Sequence, residues 1–200
     1  MTPEQFVSAL IHTSSTAQLD LIAGDRPAAG IVRVRDGRRV ALRVASSEDV
    51  SAVQRFVRGL SDRSRLNRFF APVHELSPDQ LERVTRSRPP GELALVAETA
   101  EGAGSRIVAM AQYAVCEPLD AEFAVVVDDA WQRQGLGSQL LGVLAEHAAR
   151  AGLAAFSGFV LADNWPMLTL LARLDYELVA DGDPHLIRVV KRLDTHEVMA

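Results

Sequence analysis

The sequence predicts an α/β domain on a mixed, mostly antiparallel sheet flanked by helices. Three observations carry that expectation. Phe123-Ala124-Val125-Val126-Val127, four of its five residues β-branched or aromatic, runs through a Gln/Arg/Gly loop into the best amphipathic helix pattern in the chain. Ile31-Val32-Arg33-Val34-Arg35 and Arg39-Val40-Ala41-Leu42-Arg43-Val44 alternate around Asp36-Gly37, a strong hairpin signal. Beyond them, strand-like and helix-like segments follow in the order β-β-α-α-β-β-β-α-β-α-β-β, with no internal repeat.

Each element has its own local reason. Thr2-Pro3-Glu4-Gln5 combines an N-cap, a Pro at N1 and a Gln at N3, so a short helix carrying Phe6, Leu10 and Ile11 is expected. The Ser/Thr/Ala-rich stretch after it ends at Gly30. Residues 1–30 are therefore taken as an N-terminal extension and 31–200 as the main domain. Ser46, with Asp49 three residues on, starts a helix through Val53, Phe56, Val57 and Leu60. The segment from Leu60 to Phe70 is basic and then aromatic, and Ser77-Pro78-Asp79-Gln80 starts a second helix running to about Thr85. Strands follow over Leu93–Glu98 and Ile107–Val115, then the central strand and helix over about 122–151, with Gly152 placed just past the helix end. Ala155–Leu161 is a strand and Trp165–Leu174 a helix. Tyr176–Val179 and Leu186–Val190 close the chain as a hairpin.

Composition narrows the function classes. Two hundred residues at 48% hydrophobic content suffice for one full core. A net charge of −5 and a pI near 5.5 disfavour nucleic-acid binding. The single Cys116 excludes an internal disulfide and a cysteine-based zinc site, and no metal is expected, since the histidines His12, His74, His185 and His196 lack ligand spacing. With no apolar run near ~18 residues, no membrane association is expected, and a cytoplasmic location is.

Gln132-Arg133-Gln134-Gly135-Leu136-Gly137-Ser138 joins the central strand to its helix. Unpaired N–H groups of a first helical turn attract anions, and glycines let a diphosphate approach the backbone. This segment fits the Gln/Arg-x-x-Gly-x-Gly/Ala signature, and with the element order from Val32 to Leu193 the chain resembles the GNAT acetyltransferase superfamily. Leu60-Ser61…Arg68-Phe69-Phe70, Ala121-Glu122-Phe123-Ala124-Val125-Val126-Val127 and Leu161-Ala162-Asp163-Asn164…Met167 are similar to Pat-type protein lysine acetyltransferase domains.

The resemblance implies acetyl-CoA as acetyl donor. It implies pyrophosphate contacts from the Gln132–Ser138 backbone, main-chain pairing of Val125 and Val127 with the pantetheine arm, and a further cofactor contact from Asn164. Arg133 either meets the diphosphate or is a solvated surface arginine. A lysine with pKa near 10.4 costs about 4 kcal/mol to deprotonate at pH ~7.5, so a base is expected. Glu122, a carboxylate heading an apolar strand, is the candidate, with burial expected to raise its pKa. Many relatives place a Tyr seven residues after the Asn, where this chain has Leu171, leaving the thiolate's proton donor unassigned.

Other residues receive structural expectations. Tyr176 and His147 are read as core, Cys116 as a small buried residue, and Phe69-Phe70 as a core anchor. Trp131 and Trp165 are expected to pack beside the cofactor loops. Arg63, Arg65 and Arg68 are either a small anion-binding cluster or a solvated loop. Residues 1–30 would cover the site or mediate homodimer contacts. The expected activity is direct acetyl transfer to an amine, with a protein lysine as acceptor. The alternatives are a small-molecule amine acetyltransferase and a non-catalytic acyl-CoA-binding regulatory module.

Overall fold

The computed structural model describes residues 28–193, apart from 103 and 181. The helix expected after Thr2-Pro3 and the roles assigned to the extension lie outside the described residues. The first strand, β1 (Ala28–Arg33), already begins within the expected extension.

Strand β2 (Arg39–Val44) completes the hairpin, with Gly37 in the left-handed conformation that its turn requires. A 3₁₀ turn (Ser47–Asp49) leads into α1 (Val50–Gly59). Two short helices follow, α2 (Asp62–Phe69) and α3 (Pro78–Thr85). Next come β3 (Glu92–Glu101), β4 (Gly104–Glu117) and β5 (Asp120–Val127). After them lie α4 (Leu136–Arg150), β6 (Ala155–Leu161), α5 (Trp165–Arg173), β7 (Glu177–Ala180) and β8 (Leu186–Arg192).

Helix α2 is a departure from expectation, because its Arg/Ser/Asn composition carries no apolar stripe. It forms because Ser61 caps it, accepting the Ser64 N–H at 3.2 Å, and because it is pinned from outside as described below. Helix α3 follows its sequence signature, with Ser77 and Gln80 forming a reciprocal capping box.

The strands form one sheet in the order β1-β2-β3-β4-β5-β6-β8-β7, in which only β5 and β6 run parallel. Residues 93–97 of β3 are all buried because helices cover both faces of the sheet there. Leu93, Leu95 and Ala97 join Leu140, Leu141, Leu144 and Leu171 on the side of α4 and α5. Ala94 and Val96 join Val53, Phe56, Leu81 and Val84 on the side of α1 and α3. An irregularity in the β3–β4 register at Ala97/Glu98 places Ile107 on the second side, while Ala109 and Ala111 stay on the first.

An ion triad, buried at Asp49 and half-buried at Arg43 and Glu98, ties β2 to the start of α1. Arg43 holds Asp49 through two 2.7 Å bonds and also bonds Glu98. Burial alone would raise the Asp49 pKa, but the Arg43 guanidinium and the Ser46 N–H outweigh it and hold the carboxyl below its usual 3.8.

Candidate active site

The parallel pair β5–β6 opens partway along. Asp120, Ala121 and Glu122 pair with Ala155, Phe156 and Ser157, and there the pairing stops, although β5 continues to Val127 and β6 to Leu161. Gly158 lies just past the last pair, with Phe123 pressed onto it. A Cβ on Gly158 would stand 3.2 Å from the Phe123 ring and from its carbonyl oxygen. Phe123 is held in turn by stacking on Phe156 at 4.9 Å and by an edge contact with Tyr176 at 5.4 Å.

Strand geometry decides which main-chain groups face this gap. Asp128 donates its N–H to the Val108 carbonyl, and Met110 opposes Val126, so even-numbered residues of β5 face β4. The N–H and C=O groups of Phe123, Val125 and Val127 therefore point to the β6 side. The Val127 carbonyl is taken by Gln132 Nε2 at 3.1 Å; the Val125 groups have no strand opposite them.

The loop after β5 is held from two sides. Asp128 receives the Ala130 N–H at 2.9 Å and Arg106 at 3.0 Å. On one side stands the β1–β2 turn. Arg35 N–H donates to the Gln134 carbonyl at 3.0 Å, Asp36 N–H to Gln134 Oε1 at 3.2 Å, and Arg38 to the Ala130 carbonyl at 3.2 Å. The Arg38 guanidinium also stacks 3.6 Å over buried Trp131. On the other side stands α2. Asp129 accepts from the Ser61 N–H, the Ser61 hydroxyl and the Ser64 hydroxyl at 2.7–2.9 Å, and Gln132 Nε2 donates to Ser64 at 3.0 Å. Burial would raise the Asp129 pKa, but these bonds outweigh it and keep the carboxylate ionised.

Clamped in this way, the chain enters α4 through two left-handed residues, Arg133 (φ 59°) and Gly135 (φ 87°). Gly135 is the N-cap and offers no side chain; the Ser138 hydroxyl turns back to the Gly135 carbonyl at 2.7 Å. The first-turn N–H groups of Leu136, Gly137 and Ser138 thus have no side-chain cap at the positive end of the helix dipole. Arg35 Nε lies 3.9 Å from the position a Gly135 Cβ would take, so an arginine of the distant hairpin stands beside this helix end. Arg35 was missed in the sequence because nothing local links residue 35 to residue 135. Its only signal was the basic residue next to the hairpin turn.

The residues expected to hold a cofactor divide by what their atoms do here. Val125, Gly135, Leu136, Gly137 and Ser138 line the open strand edge and helix start with main-chain groups. The side chains of Gln132 and Gln134 are engaged within the protein, and Arg133 is exposed. Asn164 caps α5, its Oδ1 accepting the Met167 N–H at 3.4 Å. Gly137 abuts Val127 and Leu170, which brings the start of α4 close to both β5 and α5.

Glu122 sits at the last β5–β6 pair and is exposed, which corrects the expected burial. It lies on the same face of the sheet as Val126, the side of α1 and α3. Phe70 is likewise exposed, at 46%, in the left-handed cap of α2, so only Phe69 serves as the expected core anchor. Cys116 is exposed rather than buried, because β4 outruns the helices at its end, all of residues 114–117 being exposed. Trp131 is buried at the loop as expected, whereas Trp165 is 70% exposed.

Leu171 is fully buried, and the tyrosines do not replace the missing proton donor. Tyr176 is packed in the core, and burial raises its pKa. Tyr113 donates to the Pro90 carbonyl and meets His147 Nδ1 at 2.7 Å, and burial pushes it up to about 12. His147, its pKa lowered by burial and then by Arg150, is a packed neutral histidine. Among the described residues there is no cluster of three or more His, Cys, Asp or Glu that could hold a metal, and no helix long and apolar enough to cross a membrane.

The sheet thus splays at its one parallel pair, and the gap runs from Glu122 to a helix start with no side-chain cap. Residues 62–176 match the model of the acetyltransferase (GNAT) family. An acetyltransferase of Pseudomonas aeruginosa is 31% identical over 179 residues, covering 89% of this chain and 94% of that one. The chain belongs to the GNAT acetyltransferase family.

Among solved structures, the GNAT domain of S. lividans PAT superposes with a TM-score of 0.75 at 26% identity, over 82% of this chain and 96% of that one. A cAMP-binding acyltransferase from Mycobacterium smegmatis gives 0.56 at 26% identity, over 82% of this chain and 46% of that one. The yncA protein of Salmonella typhimurium, solved with acetyl-CoA, gives 0.61 at 20% identity over 79% and 96%, a likeness of fold.

Proposed function

We propose that this acetyltransferase moves the acetyl group of acetyl-CoA directly onto an amine, a protein lysine being the acceptor, with Glu122 as general base. The observation that carries this is the position of Glu122 at the apex of the β5–β6 gap. A ligand with its pyrophosphate at the Gly135–Ser138 N–H groups and its arm along Val127 and Val125 runs toward Glu122, five strand residues or about 17 Å from Val127. Arg35 and Arg133 add positive charge at the phosphate end, and Asn164 stands at the start of the facing helix.

In the reaction the amine nitrogen attacks the thioester carbon, the C–S bond breaks, and sulfur leaves as thiolate. Glu122, directly or through a water, takes the proton that the amine must lose. Its exposure means that this role rests on position rather than on a buried carboxylate. The open surface around it supports a macromolecular acceptor. The register puts Phe159 and Arg188 on the same sheet face as Glu122, with Phe159 36% exposed, and no described helix packs over β6, β8 and β7 there.

Glu122→Gln tests the proposal. Acetyl-CoA binding by titration calorimetry should be retained while turnover falls about 10²–10⁴-fold. Unchanged turnover would remove Glu122 from the mechanism. An acetyl-CoA turnover screen against lysine-containing proteins and small amines tests the acceptor class, and binding without turnover of any amine would favour a regulatory acyl-CoA-binding module.

A further inference from the structure

Of the three arginines on α2, two are engaged in holding the structure. Arg63 bonds Asp163 at 2.9 Å, tying α2 to the loop before α5. Buried Arg65 bonds the carbonyls of Leu60 and Arg58 and the carboxylate of Asp62. Half-buried Arg68 makes no hydrogen bond or ion pair among the described residues; its guanidinium lies 5.0 Å from the Phe69 ring centre.

Its direction follows from helix geometry. Ser64 faces the end of β5 through Asp129 and Gln132, and Asn67 and Arg68, three and four residues on, share its face. The helix packs on β5, and the Arg68 charge is felt at Glu122: burial pulls the Arg68 pKa down to about 10, and the Glu122 carboxylate partly offsets this. Beside it, Asn67 Oδ1 is buried with no hydrogen-bond partner. A half-buried, unpaired guanidinium and an unsatisfied amide oxygen stand together over the strand that bears the proposed base.

We propose that Arg68 recognises a carboxylate on the acyl acceptor, with Asn67 Oδ1 placed to accept an N–H of the same molecule, so that the substrate is an amine carrying an acid group close to the nitrogen that is acetylated. This rests on the acetyl-transfer reaction proposed above and adds an acid group to the acceptor's chemistry, whatever the acceptor's size. A guanidinium fork matches a carboxylate, and a charge-assisted bond in a half-buried site discriminates more strongly than one in open solvent. Two sources present this chemistry, a protein lysine flanked by Asp or Glu and a free amino acid.

The test uses the full chain, acetyl-CoA and two matched pairs of acceptors. One pair is a lysine peptide with flanking Glu and its Gln counterpart; the other is free lysine and lysinamide. For wild type, kcat/KM should favour the acidic member of at least one pair by about tenfold or more, and the pair showing it identifies the source. Arg68→Gln should bring that ratio to within about twofold through KM for the acceptor, Arg68→Lys should keep part of it, and KM for acetyl-CoA should not move. Turnover of both members without preference in wild type overturns the proposal but leaves the reaction standing. Equal losses on both members in Arg68→Gln, or a rise in KM for acetyl-CoA, also overturn it. Turnover of no amine at all overturns the reaction and this proposal together.

Discussion

Gly158 offers the sharpest probe of how the sheet is held open. A Cβ there would lie 3.2 Å from Phe123 Cε1, Cζ and carbonyl oxygen, a few tenths of an ångström inside ordinary contact. The ring cannot simply retreat, since Phe156 stacks on it at 4.9 Å and Tyr176 meets it at 5.4 Å. Gly158→Ala should therefore cost about 1 kcal/mol and Gly158→Val about 2–3 kcal/mol. For a domain of this size each kcal/mol lowers Tm by about 2–4 °C. The displaced Phe123 backbone adjoins the gap, so KM for acetyl-CoA should rise as well. Thermal melts and steady-state kinetics on both variants, with Phe123→Leu as partner in a double-mutant cycle, measure the effect. Phe123→Leu should relieve part of the Gly158→Ala penalty. Unaltered Tm in both Gly158 variants, or strictly additive losses in the cycle, would refute the steric account of the apex.

Two further outcomes follow from named residues. Gly135→Val places a β-branched residue at φ 87° and should cost about 1–2 kcal/mol while weakening acetyl-CoA binding, measured by calorimetry. Asp49→Asn leaves Arg43 with Glu98 alone and should destabilise by about 1–2 kcal/mol in urea titrations, the loss of charge-assisted hydrogen bonds rather than of a charge's sole partner. The folded Asp49 carboxyl is held below 3.8, so its contribution is fully present above that pH and is lost as pH falls through the folded value. Asp49→Asn should accordingly lose less stability than wild type on acidification below about pH 4.

Local chemistry made much of the fold legible. Alternation marked the β1–β2 hairpin, capping boxes marked the helix starts, and Gly152, at φ 80°, ends α4 where a left-handed residue was expected. Helix α2 was not legible, because its stability comes from Asp129 and Asp163, residues far along the chain, and not from an apolar stripe. The exposure of Glu122 and Cys116 escaped a reading based on residue type for a related reason. Burial depends on where neighbouring helices end, and neither residue's own segment records that.

The candidate site divides along the same line. The strand, the Gly-containing loop and the helix start were set by the sequence itself, because β-branching, glycine conformation and unpaired helical N–H groups act within a few residues. Tertiary structure alone decided the rest. It set where β5 parts from β6, turned Gln132 and Gln134 into clamps for the loop, brought Arg35 to the helix end, and left Arg68 unpaired above the strand of Glu122. Those are contacts between segments up to about a hundred residues apart in the chain, made by packing and by long-range hydrogen bonds, and no local pattern encodes them.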